Sequence, residues 1–174
     1  SKTSETVDYG GTATCTATLP SNTAQYTYAF DGWDEGSSKI SSNLALSVSN
    51  ITKNRTFTAT GTRTLNRYTM TITVTPTGGG TVSGGGTYDY GSSVTLTATP
   101  ATGYDFVKFV DEEGSEYTTN PSSGWQITKN RTVQAVFALK QYIITYAKTT
   151  GIASISRASE TVNYGSNAQG STAT

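Results

Sequence analysis

Residues 68–100 read YTMTITVTPTGGGTVSGGGTYDYGSSVTLTATP, and two runs within them decide the fold class. In the first, Tyr68, Met70, Ile72 and Val74 alternate with threonines. In the second, Val94, Leu96 and Ala98 alternate with Thr95, Thr97 and Thr99 until Pro100 stops the run. Successive side chains of a strand point to opposite faces, so a period of two gives each run one apolar and one wet face. The glycine triplets at 78–80 and 84–86 flank a short strand centred on Val82, because glycine takes a positive φ without steric cost. Beyond Pro100, a GY turn leads to YDFVKFV, which brings Tyr104, Phe106 and Phe109 toward a core. A polar loop, DEEGSEYTTNPSSG, then leads through WQIT and KNR to TVQAVFA, where Val133, Ala135 and Phe137 alternate with their neighbours.

The rest of the chain has the same character. Threonine makes up about a fifth of it, glycine and serine are abundant, and Leu and Met are scarce. No window of a dozen residues repeats its apolar positions every three or four, so the chain is read as mainly β, without a helix. Its 12 basic and 12 acidic side chains cancel, which leaves no field to draw in nucleic acid or an anionic membrane. No stretch is apolar enough to span a bilayer, and the first residues lack the profile of a signal peptide, so any signal or anchor is expected beyond these residues.

Repeats set the organisation. ITKNRT occurs at 51–56 and again at 127–132, 76 positions later. SETVDYG ends at Gly10 and returns as SETVNYG ending at Gly165, with TYDYG ending at Gly91 between them; those spacings are 81 and 74. Tyr68 in YTMTITV recurs as Tyr142 in YIITYAK, again 74 apart. Three markers therefore agree on a unit of about 75 residues. The expected layout is a first module at 1–66 lacking its opening strand, a complete module at 67–141, and a partial third at 142–174. Phe30 falls where Phe106 does, and Trp33 where Phe109 does. Short polar joints near residues 66 and 141 predict tandem small antiparallel β modules stacked as a semi-rigid rod.

The order GY-x-F-x-x-F or YAFDGW, then NIT or QIT with a KNRT turn, then TVQAVFA, resembles the InlB B-repeat group of bacterial surface proteins. The likeness includes its divergent branch and the related Listeria–Bacteroides repeats. The stretch GGGTVSGGGTYDYGSSVTLTATPATGYDF carries it most strongly, and the tandem copies extend it over essentially the whole chain. The resemblance implies a compact β-grasp-like fold in large cell-surface or extracellular proteins of Gram-positive and gut bacteria, acting as spacers or adhesive modules. No helix pattern appears where a β-grasp would place one.

Candidate chemistry is sparse. Without histidine, most catalytic triads and zinc centres are excluded, and no catalytic, cofactor-binding or metal-ligating residue is expected. Asp31, Asp34 and Glu35, and Asp111, Glu112, Glu113 and Glu116 in the corresponding loop, match no calcium-loop spacing and read as solvated charge. The glycine triplets lack the lysine and helix of a phosphate cradle. The N-x-T triplets at Asn50, Asn54 and Asn130 read as turns. Cys15, the one cysteine, alternates with Ala13 and Ala17 and is expected to be buried. A ligand surface, if present, would use the aromatics Trp125 and Tyr117 and the repeated basic turns of Lys53 with Arg55 and Lys129 with Arg131. Its partner would be a host or cell-wall glycan or protein. The expected role is a non-enzymatic spacer or stalk with adhesive potential. The alternatives are a β module of a phage fibre or head decoration, or a carbohydrate-binding appendage. Residues 142–157 duplicate the strand missing from the first module, which predicts head-to-tail self-association.

Overall fold

The computed structural model describes residues 3–174. It contains no helix among them, and strands take 56% of the chain. The chain divides into two compact units, one reaching to Asn66 and the other running from Arg67 to Thr174.

In the first unit, β1 (Gly11–Thr16) pairs antiparallel with β4 (Ala45–Ile51), setting Cys15 opposite Leu46 and Ala13 opposite Val48. A second sheet has the order β3-β2-β5, from β2 (Tyr26–Glu35), β3 (Ser38–Ser41) and β5 (Thr58–Leu65). Strand β2 carries a bulge between Phe30 and Gly32, which turns Trp33 inward. Only Trp33 and Leu46 are fully buried among the described apolar side chains of this unit.

The second unit is more complete. Its strands are β6 (Arg67–Thr75), β7 (Gly80–Ser83), β8 (Gly86–Asp89), β9 (Ser93–Pro100), β10 (Tyr104–Asp111), β11 (Glu116–Tyr117), β12 (Ser122–Gln126), β13 (Arg131–Leu139), β14 (Gln141–Thr145) and β15 (Ser159–Asn163). Five of them form the sheet β11-β10-β13-β6-β8, and three form β12-β9-β7. Side chains from both sheets meet in one core of Met70, Val94, Leu96, Ala98, Phe109, Trp125, Ile127, Val133, Ala135 and Phe137. Phe109, Met70, Leu96, Ile127 and Val133 are almost wholly out of water. Each such burial contributes roughly 1.5–3 kcal/mol. The alternation of residues 68–74 and 94–98 appears as expected, with the apolar positions inside and the threonines outside.

One pairing departs from the antiparallel pattern. β13 lies beside β6 in parallel, Arg131 opposite Met70 through Val136 opposite Thr75. Parallel neighbours need a long connection, and here it is supplied by strands β7 to β12. The parallel pair joins the first and last strands of the module and closes its core. Two glycines fix the opening hairpin. A Cβ on Gly84, where φ is +100°, would lie 2.3 Å from the Thr95 carbonyl oxygen. One on Gly80 would lie 2.6 Å from the Phe137 ring. The triplets are therefore turn and close-approach glycines.

Strands β14 and β15 pair antiparallel from Gln141 opposite Asn163 to Thr145 opposite Ser159. The Tyr164 ring packs against Gly103, and the Tyr164 N–H donates to the Lys140 carbonyl at 2.8 Å.

Candidate functional site

Four of the candidate ligand residues come together in the second unit. Trp125, on β12, is 4% exposed and donates its indole N–H to Ser122 Oγ at 3.0 Å. Tyr117 from β11 lies against it, ring centroids 4.4 Å apart, and the Arg131 guanidinium lies 4.9 Å from the indole centroid. An indole held between a ring and a cation inside the core is a packing element, so Tyr117, at 36% exposure, offers the outer aromatic surface here.

The acidic loop wraps this cluster. Asp111, at the end of β10, accepts from the N–H groups of Ser115 at 2.8 Å and Glu113 at 3.0 Å and from the Tyr117 hydroxyl at 3.0 Å. Its carboxylate also stands 3.6 Å from Arg131. Burial by itself would push the Asp111 carboxyl up. The Ser115 N–H, the Tyr117 hydroxyl, the Glu113 N–H and the Arg131 charge outweigh it and hold the group below its ordinary value. The same carboxylate raises the Tyr117 phenol. Lys129 is shared between Glu113 at 2.7 Å and Glu112 at 3.3 Å. The loop that sequence reads as solvated charge is thus an Asp-centred turn, and its signal was the spacing of Asp111 to Gly114 before a strand.

The first unit repeats the ion pair at the same offset. Arg55 lies twenty residues after Glu35, as Arg131 does after Asp111, and pairs with it at 2.8 Å through Nε and 2.5 Å through Nη2. The Arg55 guanidinium stands 4.9 Å from the Phe57 centroid. Its hydrogen bond to Glu35 lowers that carboxyl. Lys53 lines a groove, and its charge adds to that of Arg55 in lowering Glu35.

That groove, of about 920 Å³, has Ala13, Cys15, Trp33, Leu46, Ile51 and Phe57 among the residues that line it. Cys15 is half-buried and lines the groove, against the expectation of a buried thiol. The alternation correctly puts it on the inner face. The residue at the same place in the second unit, Leu96, is wholly buried in that unit's core. Among the described residues no group of three or more His, Cys, Asp or Glu side chains is placed to hold a metal ion.

Bulged strands, a KNRT corner and an arginine–carboxylate pair recurring at one offset define a class of small all-β repeat modules built to a common plan. Residues 70–141 match the family model of the divergent InlB B-repeat domain. The family suggests a surface repeat module of surface or extracellular proteins. No curated protein and no solved structure matches the chain. No helix among the described residues is long and apolar enough to cross a membrane.

Proposed function

We propose that the chain is a non-enzymatic repeat region of a bacterial cell-surface or secreted protein, serving as a semi-rigid spacer with a secondary capacity for adhesion. The family match over residues 70–141 carries this reading, and the repetition of its markers on both sides supports a tandem array. A chain without histidine has few routes to acid–base or nucleophilic chemistry, which favours a mechanical role. Short joints favour stiffness, since few residues between modules leave few conformations to sample.

Adhesion has narrower support. Arg55, Lys129 and Arg131 already meet carboxylates, so an anionic polymer would compete with those pairs, and Trp125 lies in the core. Of the two candidate aromatics, Tyr117 is the one whose ring is exposed for stacking. The spacer reading is tested by small-angle scattering, which should give one extended particle of fixed maximum dimension across salt concentrations. A distribution of compact and extended forms would overturn it. Adhesion is tested on a glycan array with the chain and its Tyr117→Ala variant. Binding lost with the ring supports it, and no signal at high protein concentration refutes it.

A further inference from the structure

The strands that open and close the second module are the two that lie side by side. β6 opens it at Arg67, β13 closes it at Leu139, and they pair in parallel through six register positions, from Met70 opposite Arg131 to Thr75 opposite Val136. Both are interior to their sheet, with β8 beyond one and β10 beyond the other. The chain comes in at the start of β6 and goes out at the end of β13 toward β14. In a parallel pair those two points lie at opposite ends of one ladder.

We propose that this pair is a mechanical clamp, a ladder set in shear when the chain is drawn along its length. Tension parallel to the strands falls on every rung together, so none parts until the whole set yields. The same ladder pulled open from one end gives way rung by rung. Two hydrogen bonds place the rungs. Thr69 N–H donates to Asn130 Oδ1 at 2.8 Å, so the odd-numbered residues of β6 turn their peptide groups to β13. Lys140 N–H donates to the Gly103 carbonyl at 2.8 Å, so even-numbered residues of β13 face β10 and odd-numbered ones face β6. Thr71, Thr73 and Thr75 are thus the β6 residues whose backbone makes the rungs, and Arg131, Val133 and Ala135 are among their counterparts on β13. Asn130, inside the KNRT corner, lengthens the ladder by one bond.

The apolar face resists the same slide. Met70 is 1% exposed and Val133 and Ala135 are 0%, so moving β6 past β13 drags a buried face through the core while the hydrogen bonds part. A slip of one residue would turn that face to water. Use of the clamp in a stalk under tension rests on the spacer reading, but its existence does not. A chain that scatters as a flexible particle would lose the first and keep the second.

Single-molecule force spectroscopy tests the clamp on the full chain with Cys15→Ala, so that handles attach only at introduced cysteine pairs. Arg67→Cys with Lys140→Cys puts the handles at opposite ends of the ladder, and Thr77→Cys with Lys140→Cys puts them at the same end. Forced rupture reports the unfolding barrier and not equilibrium stability. At one loading rate the second unit should therefore yield at a several-fold higher force in the first geometry than in the second. In the first geometry, Thr73→Pro removes one rung donor at a position whose side chain is exposed, and should bring the force down toward the second value. Thr87→Pro, on β8 opposite Thr69 and so with its peptide group turned away from β6, should leave the force unchanged. If the Thr73 variant does not fold, Asn130→Ala replaces it. That change removes the Thr69 acceptor at the end of the ladder far from residue 77, and should lower the force in the first geometry alone. Equal forces in the two geometries overturn the proposal. So does a folded Thr73→Pro chain as strong as its parent, a Thr87→Pro chain as weak as Thr73→Pro, or an Asn130→Ala chain weakened equally in both geometries.

Discussion

The two units place matching residues in unlike surroundings. Phe109 is 0% exposed and Trp33, its counterpart, 5%, both just beyond a bulge in the long strand. Away from that centre the units diverge. Leu96, Ile127, Val133 and Ala135 are wholly buried, whereas Cys15, Ile51 and Phe57 are half-buried and Ala59 is exposed. Strand β13 begins at Arg131, but β5 begins only at Thr58, the equivalent of Gln134. The second unit has β6 to cover these positions and to accept the Asn130 side chain, whose Oδ1 takes the Thr69 N–H at 2.8 Å. A β module of this plan thus owes its core to its opening strand as much as to the strands that carry most of its large apolar residues.

The largest test of that contrast is truncation of the paired aromatics. Phe109→Ala should cost about 3–5 kcal/mol, as emptying a closed core does, and Trp33→Ala less than about 3 kcal/mol because its surroundings are already open. Denaturant unfolding resolves the two units, since the tryptophans are Trp33 in one and Trp125 in the other. Equal losses would break the comparison. Next, Leu96→Ala should cost about 2–5 kcal/mol and Cys15→Ala under about 1 kcal/mol, read from the same curves.

Gly84→Ala should cost about 1–3 kcal/mol in the second unit alone, through its clash with the Thr95 carbonyl and the positive φ. The smallest effect belongs to the carboxylates. Asp111 titrates below its ordinary value of 3.8, so its contribution is full above about pH 4 and is lost as pH falls through the depressed value. Asp111→Asn should therefore destabilise the second unit at neutral pH and converge with the parent chain as pH drops below that range. Glu35→Gln should follow the same direction in the first unit with a smaller change, because its pair with Arg55 is partly open to solvent and screened by salt. Unfolding curves at several pH values check both.

Much of this was legible before any coordinates. The alternation in YTMTITV and SSVTLTATP told which side chains go inward, and the spacing of ITKNRT told that Arg55 and Arg131 occupy the same corner. The candidate site was read less well. Trp125 looks like any other aromatic in sequence, and only packing against Tyr117 and Arg131 makes it interior. Asp111 looks like one more loop carboxylate until Ser115, Glu113 and Tyr117 converge on it.

The sequence by itself determined the all-β class, the repeat length of about 75 residues, the inner and outer faces of β6 and β9, and the lack of histidine, because these follow from local alternation and composition. Tertiary structure alone decided that β6 and β13 run parallel, that the groove at Cys15 lies open, and that β5 and β14 each end a sheet. Strand partnership is a contact between segments distant in the chain. Nothing in a strand's own pattern says which neighbour, or whether any, hydrogen-bonds its second edge.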